Sequence, residues 1–120
     1  MSDNYEKDMA LTLQELLELI SHLDVSKLEV SSYEKTIAFI ETNKISKEKL
    51  VDFVKSLDES NYIMGPVPDN KPSLSRNKPV WVFKKYWDGK RVYIKIKMFI
   101  TVHRVLLLSL HEDEEDIVHA

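Results

Sequence analysis

The sequence predicts a single α+β domain in which N-terminal helices pack on a small antiparallel β-sheet. In the first half of the chain, apolar residues recur at helical intervals behind residues that begin helices. In residues 80–111, aromatic and β-branched runs flank a tight-turn dipeptide. The length of 120 residues suits one domain with a substantial core. The predicted order is a helical layer over residues 12–58, a loop over 59–79, the sheet over 80–111 and an acidic tail over 112–120.

The first helix is predicted to begin at Thr12. Thr12 and Glu15 have the spacing of a capping box, in which each side chain bonds the backbone N–H of the other residue. The apolar residues that follow recur at intervals of three and four and form one face: Leu13, Leu16, Leu17, Ile20 and Leu23. This pattern is typical of a helix that packs on a core.

Two further helices are predicted before residue 58. Ser31 and Glu34 repeat the capping-box spacing, and Asn43 is a suitable end for the helix that follows. The residues expected to face inward there are Tyr33, Ile37 and Ile40. Ser46 is predicted to cap the third helix. Ile45, before the cap, and Leu50, within the helix, have the spacing of a hydrophobic staple. Its expected buried stripe is Leu50, Val51, Val54 and Leu57.

The segment between the helices and the sheet has a different composition. Residues 61–79 contain all four prolines of the chain together with Gly65, and this composition predicts no regular secondary structure. A loop of this length inside a compact domain often has a function. A plain linker between the two layers fits the composition equally well.

Three strands are predicted in the basic half of the chain. Asp88-Gly89 supplies the positive φ angles that a two-residue hairpin turn requires. After the turn, Val92, Ile94, Ile96 and Met98 alternate with Tyr93, Lys95, Lys97 and Phe99. We expect the first set to be buried and Tyr93 with its two lysines to be exposed, because burying an unpaired ammonium is costly. The third strand, 105–110, is nearly all apolar, which suits a central strand covered on both faces, and it brings His111 near the second strand.

The net charge of −3 conceals an asymmetry along the chain. Residues 61–111 hold ten Lys and Arg against two acids, whereas residues 1–60 and 112–120 are both acidic. A local positive field suits a polyanion such as RNA. The same lysines could instead solvate the sheet and pair with the acidic helices.

Several classes of protein are excluded by composition. The chain has no cysteine, no apolar run long enough to span a bilayer and no N-terminal signal pattern, so we expect a cytoplasmic protein without membrane association. Its two glycines cannot form a phosphate-binding loop, and no serine lies in a nucleophile elbow. The four histidines lack metal-ligand spacing, so neither a metal nor a cofactor is implied.

The remaining candidate chemistry is that of tyrosine, lysine and histidine on a sheet. Such a set can cleave RNA without a metal: a base deprotonates the ribose 2′-OH, a lysine stabilises the phosphorane, and an acid protonates the leaving 5′-oxygen. Tyr93 and His111 are the candidates for proton transfer, and Lys95 is the third candidate catalytic residue. The candidates for holding RNA are Lys84, Lys85, Arg91 and Lys97.

Several short motifs carry a resemblance to a known family. In order, they are Asn61-Tyr62, Gly65-Pro66, Trp81-Val82-Phe83, Asp88-Gly89, residues 92–97 and Ser109-Leu110-His111-Glu112. Over about residues 45–115, their order and spacing resemble the MqsR-type toxins of bacterial toxin–antitoxin systems. The resemblance implies a RelE-like mRNA interferase fold, metal-independent endoribonuclease activity and neutralisation by an antitoxin protein. It places Tyr93 on the catalytic tyrosine, Lys95 after it on the same strand, and His111 in the terminal motif.

A non-catalytic binding protein on the same scaffold is the alternative hypothesis. Val82 stands where the best-known members of the family carry glutamine, and the tail is acidic rather than basic. A phage-encoded inhibitor of a nucleic-acid enzyme, such as an RNA-guided nuclease, fits these features. Its basic sheet would bind RNA, or its acidic tail would imitate nucleic acid. The sequence leaves the oligomeric state open.

Overall fold

The computed structural model describes residues 11–68 and 79–114, and over this part the protein is an α+β domain. Three helices lie on one face of a five-stranded sheet in the described residues. The helices are α1 (Leu13–Ser21), α2 (Glu34–Thr42) and α3 (Lys47–Lys55). The strands are β1 (Leu28–Val30), β2 (Tyr62–Val67), β3 (Val80–Trp87), β4 (Lys90–Phe99) and β5 (Arg104–Glu112). None of the helices in the described part of the chain has the length and apolar composition needed to cross a bilayer.

The sheet is mixed rather than purely antiparallel. Its order is β1-β5-β4-β3-β2, in which β1 runs parallel to β5 and every other neighbouring pair is antiparallel. The predicted turn between β3 and β4 is confirmed, because Asp88 and Gly89 have φ angles of 49° and 81°. The two outer strands were not predicted. β1 is a three-residue strand inside the predicted helical layer, and β2 lies inside the predicted loop.

β2 corrects the prediction that residues 61–79 lack regular structure. The strand contains Gly65 and Pro66 and is interrupted by register shifts against β3. An edge strand tolerates proline because one side of its backbone pairs with no neighbour. Gly65 has a φ angle of 135°, and a Cβ atom there would lie 2.9 Å from the Cα of Trp81. The remaining part of the predicted loop, residues 69–78, lies outside the described residues.

Helices α1 and α3 begin where the sequence predicts. Thr12 and Glu15 form the capping box, and the Ser46 hydroxyl accepts a hydrogen bond from the backbone N–H of Lys49. Leu16 and Ile20 of α1 are fully buried, and the α3 residues that join them in the core are Leu50, Val51, Phe53 and Val54. The capping residues and apolar spacing therefore predicted both helices correctly.

Helix α2 differs from its prediction in its start and in its buried face. Ser31 is no cap, because its hydroxyl donates a hydrogen bond of 2.7 Å to the carbonyl of Leu108 in β5. The buried residues of α2 are Thr36 and Phe39, whereas Tyr33 and Ile37 are 40% and 39% exposed and Ile40 is half-buried. The Thr36 hydroxyl accepts the backbone N–H of Leu110 at 3.0 Å, and this bond fixes which side of α2 faces the sheet.

The core lies between the helices and one face of the sheet. On β4 the predicted inward residues are all buried: Val92, Ile94, Ile96 and Met98. Trp81 and Phe83 of β3 lie opposite Ile96 and Ile94, and they complete this face. On β5, Val105, Leu107 and Leu110 face the core, while Leu106 and Leu108 are half-buried. The prediction of a third strand covered on both faces is therefore only partly correct.

The sequence predicts an exposed Lys97, and the structure corrects this. Lys97 lies on the face of the sheet away from the helices, which we call the open face. The pleat places Lys97 on this side with Tyr93, as predicted, but its side chain is fully buried. Its neighbours across the two strands are Val80 of β3 and Leu106 of β5. A long aliphatic stem packs well between two apolar neighbours, and this contact favours burial at the centre of the sheet.

The bond between Thr36 and β5 can be tested by replacing Thr36 with valine. Thr36→Val keeps the shape of the side chain but leaves the N–H of Leu110 without its acceptor in a buried place, so we expect a loss of about 1–3 kcal/mol in the free energy of unfolding. Urea denaturation measures this loss. Thr36→Ser, which keeps the hydroxyl, should recover most of it, and equal losses in both variants would show that the hydrogen bond is not responsible.

A comparison of the two glycines tests the packing of β2 on β3. Gly89→Ala meets no atom within 4 Å, so we expect only the cost of a positive φ angle, about 1–2 kcal/mol. Gly65→Ala adds an overlap with the backbone of Trp81, so we expect about 1–3 kcal/mol more. Thermal unfolding of both variants gives the difference. A smaller loss in Gly65→Ala than in Gly89→Ala would contradict this contact.

Candidate active site

Tyr93 and His111 form an aromatic pair on the open face of the sheet. They lie directly opposite each other on β4 and β5, and directly opposite residues share one face of an antiparallel pair. Their rings are stacked, with centroids 5.3 Å apart and planes inclined by 16°. Both side chains are half-buried. The sequence-based expectation that His111 lies near the second strand is therefore correct.

A β-bulge in β5 places His111 on this face. Lys95 pairs with Ser109 and Ile96 pairs with Leu107, so Leu108 is an extra residue between two registers. With strict alternation from Leu107, His111 would point toward the helices. The extra residue reverses the alternation, which turns Leu110 into the core and His111 toward Tyr93.

The backbone sets the proton position of His111. Its Nδ1 lies 2.9 Å from the carbonyl oxygen of Glu112. A carbonyl oxygen can only accept, so Nδ1 carries the proton and the neutral ring has its lone pair on Nε2. Tyr33 approaches the same imidazole edge-on, with ring centroids 6.1 Å apart. His111 is therefore held from two sides, with Nε2 as its basic atom.

The surroundings of Tyr93 favour its protonated form. Burial raises the pKa of the Tyr93 phenol above its ordinary value, the Lys84 ammonium acts in the opposite direction, and the Asp113 carboxylate adds to the increase. The phenol therefore keeps its proton throughout the neutral range. In this state Tyr93 is a hydrogen-bond donor and a potential proton donor.

Asp113 forms an ionic cluster with Lys84 and Arg91 beside the aromatic pair. Its Oδ2 lies 3.0 Å from Nζ of Lys84 and 4.0 Å from Nε of Arg91. Its backbone N–H donates to the carbonyl of Arg91 at 2.8 Å, so the chain beyond β5 still follows β4. Asp113 is buried, and the Lys84 side chain is only 11% exposed. Lys84 is thus held next to Tyr93, which it faces directly across the strands.

Asp113 is a residue of the candidate site that the sequence does not predict, because it lies in the segment assigned to an acidic tail. The signal that could have found it is alternation. After the bulge, residues 109 and 111 of β5 and residue 113 just beyond the strand share one face, and a carboxylate at the third position lies near the basic residues of the neighbouring strands.

The predicted RNA-binding lysines do not all lie together. Arg91 and Lys95 flank Tyr93 on the open face of β4, with Lys84 beside them on β3. Lys85 lies on the face toward the helices, where its Nζ donates to the carbonyl and hydroxyl of Ser56 at the end of α3. Lys97 is buried in the sheet. The basic surface beside Tyr93 is therefore smaller than the sequence predicts.

A shallow groove of about 360 Å³ lies on the other side of His111, between α2 and the end of the hairpin. Lys35 and Lys90 contribute positive charge to it, and Glu112 and Glu114 contribute negative charge. Lys35 is paired with Glu114 across its mouth. The groove therefore has no strong net field. Within residues 11–68 and 79–114, no three His, Asp or Glu side chains are placed to hold a metal ion.

The chain matches no family model, no curated protein in sequence and no solved structure in fold.

The protonated state of Tyr93 can be tested by spectrophotometric titration. We expect one phenol to ionise above the ordinary tyrosine pKa of about 10, and Tyr93→Phe to remove that late component. The folded state favours the protonated phenol, so Tyr93 should begin to oppose folding only as the pH rises past the pKa of an unfolded tyrosine. If Tyr93→Phe instead removes an early component, the assigned burial effect is wrong.

Proposed function

We propose that this protein is a metal-independent endoribonuclease that cleaves RNA by attack of a ribose 2′-OH on the adjacent phosphate. The observation that supports this most directly is the stacked pair of Tyr93 and His111. A phenol that keeps its proton and an imidazole whose Nδ1 bonds the carbonyl of Glu112 lie side by side, and they supply the acid and the base of this reaction. Both are half-buried on the face of the sheet away from the helices, so part of each side chain is accessible to a flexible strand of RNA.

The proposed cleavage needs only the RNA and the side chains of His111 and Tyr93. Nε2 of His111 takes the proton of the 2′-OH while this oxygen forms a bond to phosphorus. The bond between phosphorus and the 5′-oxygen breaks, and the Tyr93 hydroxyl donates its proton to that oxygen. An alkoxide is more basic than a phenolate, so this donation is favourable even though burial raises the pKa of Tyr93. The products are a 2′,3′-cyclic phosphate and a 5′-hydroxyl end.

Lys95 and Arg91 are the proposed contacts to the reacting phosphate. They occupy alternate positions on either side of Tyr93 on β4, so their side chains share its face. Cations at these places stabilise the negative charge that develops on the phosphorane. Lys84 has a different role in this proposal, because its ammonium lies closer to Asp113, at 3.0 Å against 4.0 Å for Arg91, and bears on the phenol of Tyr93.

The family assignment is part of the proposal. The motifs of residues 45–115 support an MqsR-type toxin with a RelE-like fold, which would act on cytoplasmic RNA and be neutralised by an antitoxin protein. The α+β arrangement of three helices on one face of the sheet is compatible with this assignment.

Tyr93→Phe tests the proposed acid. It removes one hydroxyl and keeps the ring against His111, so the free energy of unfolding should change by no more than about 1 kcal/mol. Cleavage of a mixed RNA pool in EDTA should fall about 10²–10⁴-fold. Tyr86→Phe is the matched control, since Tyr86 lies on β3 and is 65% exposed. A folded Tyr93→Phe protein that cuts at the parental rate would remove Tyr93 from the mechanism.

A non-catalytic binding protein is the second candidate, and the ionic cluster favours it. The Asp113 carboxylate lies 3.0 Å from Lys84, and its negative charge weakens the attraction of this site for phosphate. Such a scaffold could bind a nucleic-acid enzyme instead, for example a target nuclease. Parental protein that folds normally and yields no defined cuts in the RNA pool would favour this candidate.

A further inference from the structure

We propose that Tyr33 and Ile37 form a stacking subsite for one base of single-stranded RNA, next to the Tyr93–His111 pair. The choice of nucleic acid as the ligand rests on the proposed function. The subsite would add a specificity element at the start of helix α2, at residues that the sequence predicts to face the core. It also names the form of the substrate, because a base is available for stacking only when it has left a duplex.

The exposure of these two residues is the first observation. Tyr33 and Ile37 are 40% and 39% exposed, although both are large and apolar. Tyr33 is the residue before α2, and its carbonyl accepts the backbone N–H of Ile37 at 3.0 Å, so the two residues lie together at the start of the helix. Thr36 and Phe39 are the residues that α2 buries against the sheet. The exposed pair therefore lies outside the face that α2 buries against the sheet.

The contact between Tyr33 and His111 is the second observation. The Tyr33 ring meets the imidazole edge-on at 6.1 Å, and the imidazole stacks on Tyr93 at 5.3 Å. The three rings form a continuous row from β4 across β5 to the start of α2. A nucleotide whose 2′-OH lies at Nε2 of His111 has its own base or the next one within reach of Tyr33.

The chemistry of the row favours a base over an apolar peptide. Aromatic side chains beside a phosphate-handling centre are the usual platform for unpaired bases, and stacking tolerates any base because each has a π-face. The cations Arg91 and Lys95 lie at the other end of the row. One end of the row thus suits the backbone of RNA and the other end suits a base.

The test uses a fluorescent single-stranded 2′-O-methyl RNA, which lacks the attacking hydroxyl and so measures binding alone. We expect Tyr33→Leu to weaken binding roughly tenfold, or about 1.4 kcal/mol, within the range for one stacked base. Tyr62→Leu is the matched control, since Tyr62 is 36% exposed on the far edge strand, and it should bind like the parent. Ile37 and Ile63 are 39% and 40% exposed, so Ile63→Ala is the matched control for Ile37→Ala. We expect Ile37→Ala to bind the RNA less tightly than Ile63→Ala.

A loss of affinity in Tyr33→Leu could come from a lost stacking surface or from a perturbed His111, and two further measurements distinguish these causes. Tyr33→Trp keeps an aromatic face, so it should restore the affinity that Tyr33→Leu loses. A duplex of the same sequence should bind without dependence on Tyr33. The subsite is wrong if Tyr33→Leu and Tyr62→Leu bind equally well, if Tyr33→Trp restores nothing, or if duplex binding shows the same loss.

Failure of the proposed nuclease function can be distinguished from failure of the subsite. Parental protein that cuts unmodified RNA, with Tyr33→Leu binding the analogue as tightly as the parent, would overturn the subsite and support the nuclease. Parental protein that cuts nothing, with analogue binding that depends on Tyr33, would overturn the nuclease and support the subsite. Parental protein that neither cuts RNA nor binds the analogue would overturn both.

Discussion

The bulge at Leu108 is the constraint on which the candidate site depends. Leu107 and Leu110 both face the core, although they are three residues apart, because the extra residue shifts the pleat between them. The same shift turns His111 to the side of Tyr93. Without it, His111 would point toward the helices and Leu110 away from them. One inserted residue thus serves the core and the site together, as is common for bulges next to active sites.

Helix α2 holds the bulged strand in place. β1 pairs with β5 only as far as Leu107, so the backbone of β5 beyond that residue needs other partners. Ser31 donates to the carbonyl of Leu108, and Thr36 accepts the N–H of Leu110. Two side-chain hydroxyls therefore replace a missing strand at this edge. Because they fix the start of α2, they also bring Tyr33 to the ring of His111.

The elements that the sequence predicts well depend on local interactions. The caps of α1 and α3, the turn at Asp88-Gly89 and the inward face of β4 each follow from residues within a few positions of one another. The elements that it predicts poorly depend on distant partners. Ser31 has the spacing of a cap, but its hydroxyl bonds a carbonyl 77 residues away. β1 is a three-residue strand that no periodicity can reveal, and it forms because β5 lies beside it.

The same distinction applies to the candidate site. Alternation on β4 correctly placed Tyr93 and Lys95 on one face, and the end of the third strand correctly brought His111 near. Alternation could not tell that Lys97 is buried between apolar neighbours, because burial depends on the adjacent strands. Lys85 was assigned to RNA, yet β3 directs it to the helix side, where it bonds the end of α3.

The ionic cluster connects these corrections to the proposed chemistry. Asp113 pairs with Lys84 and hydrogen-bonds the backbone of Arg91, so it holds the end of β5 against β4 at the level of Tyr93. A buried ion pair of this kind adds little net stability, because the desolvation of both charges offsets their attraction. The main consequence of this ion pair is that it fixes the position of the basic side chains beside Tyr93. Asp113 lies 3.0 Å from Lys84 and 4.0 Å from Arg91, and the proposed phosphate contacts, Arg91 and Lys95, lie on the same strand as Tyr93 and on either side of it. Asp113, which the sequence assigns to an acidic tail, thereby fixes the positions of Lys84 and Arg91 beside Tyr93.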